Sequence, residues 1–174
     1  MSRLITVSLD KRGVHCVAQL LDEAAPRTCA AVWGALSGGP LTAQVFHGKY
    51  ARNEIYTLLP AFAGDDPGKE NTTVTPIPGD LCWFSFDSDD LGNPAYGYEN
   101  RTGTGTSGAI VDLALFYGRN NLLINGDQGW VPGNVFGAVI EGLEEMAEAC
   151  QDLWMGGVRG ETLSFTALPP APSR

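Results

Sequence analysis

Two helical stripes stand isolated among seven or eight strand-length apolar segments, and that ratio limits the fold of this chain more than any other feature. Pro26 opens the first stripe, where a missing N–H costs nothing. Cys29, Val32, Trp33 and Leu36 then recur at i, i+3, i+4 and i+7, and Ser37-Gly38-Gly39-Pro40 ends the run. The second stripe spans Glu141 to Met155 and gathers Leu143, Met146, Ala147, Cys150 and Leu153 on one side. Its acidic first turn (Glu141, Glu144, Glu145) suits the helix dipole, and Gly156-Gly157 stop it.

The remaining periodicity is that of strands. Residues 4–9 and 14–21 flank the polar turn Asp10–Gly13 and predict a hairpin. Residues 41–47 alternate, with Leu41, Ala43, Val45 and His47 on one face. Further strands are expected at 53–59, 81–86, 109–117, 135–140 and 161–168. In the 109–117 strand Val111, Leu113, Leu115 and Tyr117 share a face. Two long loops, 61–79 and 87–108, interrupt the series. One helix follows the opening hairpin and the other precedes the last strand, which does not fit a βαβ alternation and disfavours a doubly wound parallel sheet. The expected fold is mainly β: a closed, mostly antiparallel barrel with the two helices capping its ends. We assign residues 1–168 to one barrel domain and the tail Pro169–Arg174 to disorder.

Bulk properties narrow the partners. A chain of 174 residues is one domain, large enough to bury about 70% of its unfolded surface without staples. Its net charge of −9 argues against nucleic acid and against an anionic membrane surface. No apolar run reaches the length of a membrane span, and the N-terminal MSRLITVSLDKRG lacks the apolar stretch of a signal peptide, so a cytoplasmic location is expected. Cys16, Cys29, Cys82 and Cys150 fall in no zinc spacing and read as free thiols on inward faces.

Against this acidic background, Phe46 to Pro60 stands out. His47, Lys49 and Arg52 fall within six positions, with Glu54 and Tyr56 just behind. The run joins two strands, where a rigid scaffold places functional loops. In the functional reading His47, Arg52, Glu54 and Tyr56 converge at a barrel mouth. Lys49 or Arg52 then holds an anionic or carbonyl group, and His47 or Glu54 moves a proton. The plain alternative is a hairpin with solvated cations and an Arg52–Glu54 surface pair, worth about 0–1 kcal/mol. Trp130 follows the turn Gly126–Gly129 and either floors a pocket, with Asn134 pointing in, or packs over a barrel end.

Other motifs carry less. Gly103–Gly108 spells GTGTSG, but no strand precedes it and no helix follows, so it lacks the setting of a dinucleotide site. Asp87, Asp89, Asp90 and Gly92 start a calcium-loop pattern that Leu91 and Tyr98 break. No metal or other cofactor is expected. No G-x-S-x-G supports serine-nucleophile hydrolysis.

Three stretches together, HGK with NEIYTLLP at 47–60, PGDLCWF at 78–84 and GWVPGNVFGAVIEGL at 129–143, resemble an uncharacterised bacterial family of cyclophilin-like proteins, over most of the chain. The resemblance implies a cyclophilin-like barrel. Similar domains in enzymes of urea and cyclic-amide breakdown imply small carbonyl compounds as ligands. Prolyl isomerases of this fold carry Phe-His-Arg followed by Gln-Gly-Gly-Asp. Here Phe46-His47 match, Gly48 takes the arginine position, and no Gln-Gly-Gly-Asp follows. The arginine that stabilises the twisted imide is therefore absent, and Arg52 would aim at a different atom. The sequence reading is a small-molecule or short-peptide binding domain, with ligand contacts at His47, Lys49, Arg52, Glu54, Tyr56 and Trp130. Prolyl isomerisation and a structural role in a homo-oligomer stay open beside it.

Overall fold

A computed structural model describes residues 2–49, 51–64, 66–87, 109–125 and 128–169. The chain folds as β1 (Leu4–Leu9), β2 (Val14–Leu20), α1 (Pro26–Leu36), β3 (Leu41–His47), β4 (Glu54–Pro60), β5 (Thr72–Thr73), β6 (Asp80–Asp87), β7 (Ala109–Phe116), β8 (Ile124–Asn125), β9 (Gly129–Trp130), β10 (Gly133–Glu141), α2 (Leu143–Gly156) and β11 (Thr162–Ala167). Eight strands pair in the order β2-β1-β11-β3-β4-β7-β6-β10, and β10 returns to β2, so the antiparallel barrel closes on itself. Each of these eight strands is thereby paired on both sides, and β5 adds to β10 at Gly133 and Asn134.

Strand alternation divides the apolar residues into two clusters. The inner one takes Ile5, Val7 and Leu9 from β1, Cys16, Ala18 and Leu20 from β2, and Val111, Leu113 and Leu115 from β7. Both helices feed it: Cys29, Val32 and Leu36 from α1, and Met146, Cys150 and Leu153 from α2. These are the stripes expected at helical spacing. The outer cluster holds Tyr56, Leu58, Cys82, Phe84, Ile110, Ala114 and Phe116, packed with Ala51, Leu123 and Val135. Strands β4, β6 and β7 are therefore buried on both faces, which explains why 110–116 reads as a nearly unbroken apolar run.

All four cysteines are free and buried. Cys82 differs from the expectation of an inward face, because it belongs to the outer cluster. Helix α2 also starts later than expected. Glu141 is the last residue of β10, and Gly142 caps the helix with φ 78°. A Cβ at Gly142 would lie 2.9 Å from the His15 carbonyl oxygen, so the strand-to-helix turn needs glycine there.

The 61–79 connection is anchored from within. The Ala25 cap of α1 offers no side-chain bond. Glu70 supplies it, accepting from Thr28 N–H at 2.6 Å, Thr28 Oγ1 at 2.8 Å and Arg27 Nε at 3.1 Å. Burial opposes ionisation of Glu70, but the Thr28 bonds and the Arg27 charge outweigh it and hold the carboxyl below its ordinary pKa. Asn134 completes this support, donating to Thr28 Oγ1 at 3.0 Å and to the Gly68 carbonyl at 2.7 Å. Asn134 is thus bound into the scaffold, in place of the pocket role its sequence position suggested. The GTGTSG segment, most of the calcium-like loop and the Pro170–Arg174 part of the tail lie outside the described residues.

Candidate functional site

The β3–β4 hairpin pairs Val45 with Thr57, Phe46 with Tyr56 and His47 with Ile55. A backbone bond from Gly48 N–H to the Glu54 carbonyl (2.8 Å) closes its last rung. Residues paired directly across a sheet share a face and successive residues alternate. His47 therefore points inward with Val45 and Ile55. Glu54 and Tyr56 point outward with Phe46, whose ring stacks on Tyr56 at 5.4 Å. One face of one hairpin does not hold all four residues expected at the mouth: the sheet separates His47 from Glu54 and Tyr56.

His47 sits where the barrel meets α2. Its ring lies 4.6 Å from the Trp154 ring. Nδ1 is 3.1 Å from the Gly48 carbonyl, which can only accept, so Nδ1 carries the proton. Nε2 then accepts from Tyr117 O–H at 2.7 Å, and Tyr117 in turn accepts from Gln151 Nε2 at 3.4 Å. Burial lowers the His47 pKa, partly offset by the bond to Gly48. This chain holds a neutral imidazole in a fixed tautomer.

The hairpin tip carries the cations. Arg52 is exposed, with a left-handed backbone (φ 66°), and Lys49 is exposed beside it. The tip is tied down by Asn53, whose Nδ2 donates to the Arg119 carbonyl at 2.6 Å and whose carbonyl accepts from Tyr117 N–H at 3.0 Å. Ala51 packs into the outer cluster. Trp130, on β9, is 58% exposed and pairs with Ile124.

The outer face of β4 and β7 holds the chemistry that strand periodicity alone did not reveal. Glu54 pairs with Phe116, Tyr56 with Ala114 and Leu58 with Asp112, while β6 sets Cys82 against Ala114 and Phe84 against Asp112. Glu54 and Asp112 thus occupy one face among aromatic and apolar neighbours, and each is only 8% exposed. Asp112 Oδ1 is buried with no hydrogen-bond partner among the described residues. Burial pushes the Glu54 carboxyl up to about 8. Burial first, and then the nearby Glu54 charge, raises Asp112 well above the carboxylate range. Cys82, between them, is raised by burial and by the Asp80, Glu54 and Asp112 charges. A signal for Asp112 was present in the sequence: it is the one charged residue in AIVDLALFY.

Glu54 also explains Gly48. A Cβ built at position 48 would collide with the Glu54 carboxyl and lie 2.9 Å from its Cβ. Position 48 has no room for a side chain while Glu54 keeps its place.

Among the described residues no group of three or more His, Cys, Asp or Glu is arranged to hold a metal ion, and no helix is long and apolar enough to cross a membrane. A family model described as "Protein of unknown function (DUF3830)" matches residues 7–165, nearly the whole barrel. The chain belongs to the DUF3830 family. No curated protein matches its sequence. Among solved structures, this DUF3830 chain is similar to the structure of McbB in complex with tryptophan, with a TM-score of 0.58 at 16% identity. The match covers 98% of the DUF3830 chain and 46% of the McbB chain, so this chain spans about half the length of that neighbour. At this identity the likeness is one of fold.

Proposed function

We propose that this DUF3830 protein binds a small organic molecule on the outer face of its barrel, at Glu54, Tyr56 and Asp112. The observation that carries the reading is Asp112 Oδ1, buried without a partner among the described residues and on the same face as Glu54. A buried carboxyl left unpaired costs a protein stability, and such groups concentrate where a ligand completes the bonding. Tyr56, Phe84 and Phe116 supply apolar contact. Lys49 and Arg52, exposed on the hairpin that ends in this face, suit a carboxylate or carbonyl at the rim. Trp130 is a further rim contact. His47 acts from the other side of the sheet and fixes the hairpin through Tyr117 and Gly48. The neighbouring fold of McbB was solved with tryptophan, which is compatible with a small-molecule role for this barrel. The fold resembles that of cyclophilins in our reading, but the contact between Gly48 and Glu54 leaves no place for the isomerase arginine.

A fluorinated fragment library, screened by ligand-observed NMR against wild type and the Glu54→Gln and Asp112→Asn variants, tests the assignment. Binders lost in both folded variants support it. A set of binders that both variants retain undiminished overturns it.

A further inference from the structure

Charge is segregated along α2 and the corner beyond it. The helix carries Glu144, Glu145, Glu148 and Asp152 and no basic side chain. Glu145, Glu148, Asp152 and Met155 recur at i, i+3, i+7 and i+10, so they form one stripe, and all four are exposed. Among the described residues Glu144, Glu145 and Glu148 make no ion pair, while Asp152 is held by Arg12 at 2.9 Å. Past the helix the sign reverses. The Arg159 guanidinium lies 3.9 Å from where a Cβ on Gly156 would stand, and Lys11 Nζ donates to the Arg159 carbonyl at 3.2 Å. Both cations are exposed, and neither has a carboxylate partner among the described residues. Between the two halves Met155 is 81% exposed, with Trp154 beside it at 55%. Methionine, aromatic and arginine side chains are the ones that protein interfaces collect.

This pattern is its own complement. A rise of about 1.5 Å per residue puts Glu148 about 6 Å before Asp152 along the helix, and Gly156, against which Arg159 lies, about 6 Å after it. A two-fold axis beside Asp152 sets Glu148 of each copy opposite the partner's Arg159, and the contact is made twice. The two Asp152 carboxylates meet near the axis already paired with Arg12. Met155 lies within one turn of that axis, and antiparallel helices also oppose their dipoles favourably. A purely basic partner would answer the glutamates but meet Lys11 and Arg159, and a purely acidic one would do the reverse. A second copy of this chain carries both halves in the order the face requires. We propose that this protein forms a two-fold dimer through α2, with the two helices antiparallel and Met155 and Trp154 in the contact.

Sedimentation velocity of the full chain over the micromolar range tests the dimer, and wild type should sediment as one. Glu145→Lys/Glu148→Lys makes both halves of the face positive, and Lys11→Glu/Arg159→Glu makes both negative. Each double variant alone should dimerise about tenfold or more weakly than wild type. Mixed one to one, the two variants should recover the dimer, because every contact across the axis then joins opposite charges. Recovery also shows that both variants fold. A wild type that stays monomeric overturns the proposal and needs no variant. A dimer that both variants keep at wild-type strength overturns it too, since the contact then lies elsewhere. Loss in each variant without recovery in the mixture, with both folded by circular dichroism, also overturns it.

Discussion

Glu54 and Asp112 stand on the same outer face of neighbouring antiparallel strands, with the cross-strand pair Tyr56–Ala114 between them. Both are buried, and the Glu54 charge raises Asp112 further. The native protein therefore resists ionising this pair, and the cost appears in the pH dependence of folding. Between the ordinary carboxylate range and about pH 8 the unfolded chain gives up the Glu54 proton while the native state keeps it. Stability falls as pH rises through that window. Thermal denaturation of wild type from pH 5 to 8.5 should show a declining Tm, and Glu54→Gln should flatten the part of the decline due to Glu54, leaving that of buried Asp112. Parallel curves for the two proteins would contradict the assigned ionisation.

Asp112 should be a stability defect kept for binding. Replacing it with valine removes a buried carboxyl whose Oδ1 has no partner among the described residues, and is expected to stabilise the fold by about 1–3 kcal/mol in denaturant titration. The same variant should lose the binders that depend on this face. Destabilisation by a similar amount would show that Asp112 supports the scaffold.

Position 48 should accept no side chain. Gly48→Ala places a methyl group against the Glu54 carboxyl and Cβ and should cost about 1–3 kcal/mol, with the part due to the carboxyl relieved in the double variant Gly48→Ala/Glu54→Ala, which keeps the Cβ at position 54. Additive effects in that cycle would remove the proposed steric cause.

His47 gives the opposite pH trend. Its pKa is lowered by burial, so below its ordinary value the unfolded chain takes up a proton that the native ring refuses. Stability is then lost as pH falls from about 6.5. Tyr117→Phe withdraws the O–H donated to Nε2 and should cost about 1 kcal/mol. Nitrogen shifts in the wild type should report the Nδ1-protonated tautomer. An Nε2-protonated ring would contradict the hydrogen-bond chain.

The barrel was largely legible in the sequence, because period-2 alternation and two helical stripes depend on local burial. The stripes Cys29–Val32–Leu36 and Met146–Cys150–Leu153 pack as their spacing implied. The short strands β5, β8 and β9 were not legible, since two-residue pairings such as Ile124 with Trp130 leave no periodic trace. The boundary at Gly142 was missed because its need for glycine comes from a tertiary contact with His15. At the candidate site, Glu54 and Tyr56 share a face, as strand period requires. His47 lies on the other face for the same reason: it pairs with Ile55, one residue out of phase with both. Asp112 is not legible as a site residue, because an apolar run does not declare which of its faces is covered, and only sheet pairing sets Asp112 beside Leu58 and Phe84.

The central claim is the place where a ligand binds. A crystal of the wild-type protein soaked with the best-binding fragment tests it most directly. The account predicts ligand density on the outer face of β4 and β7, with a polar atom within hydrogen-bonding distance of Asp112 Oδ1 or the Glu54 carboxyl. Density confined to the barrel end around His47, Tyr117 and Trp154, or to any surface away from Glu54 and Asp112, would contradict it.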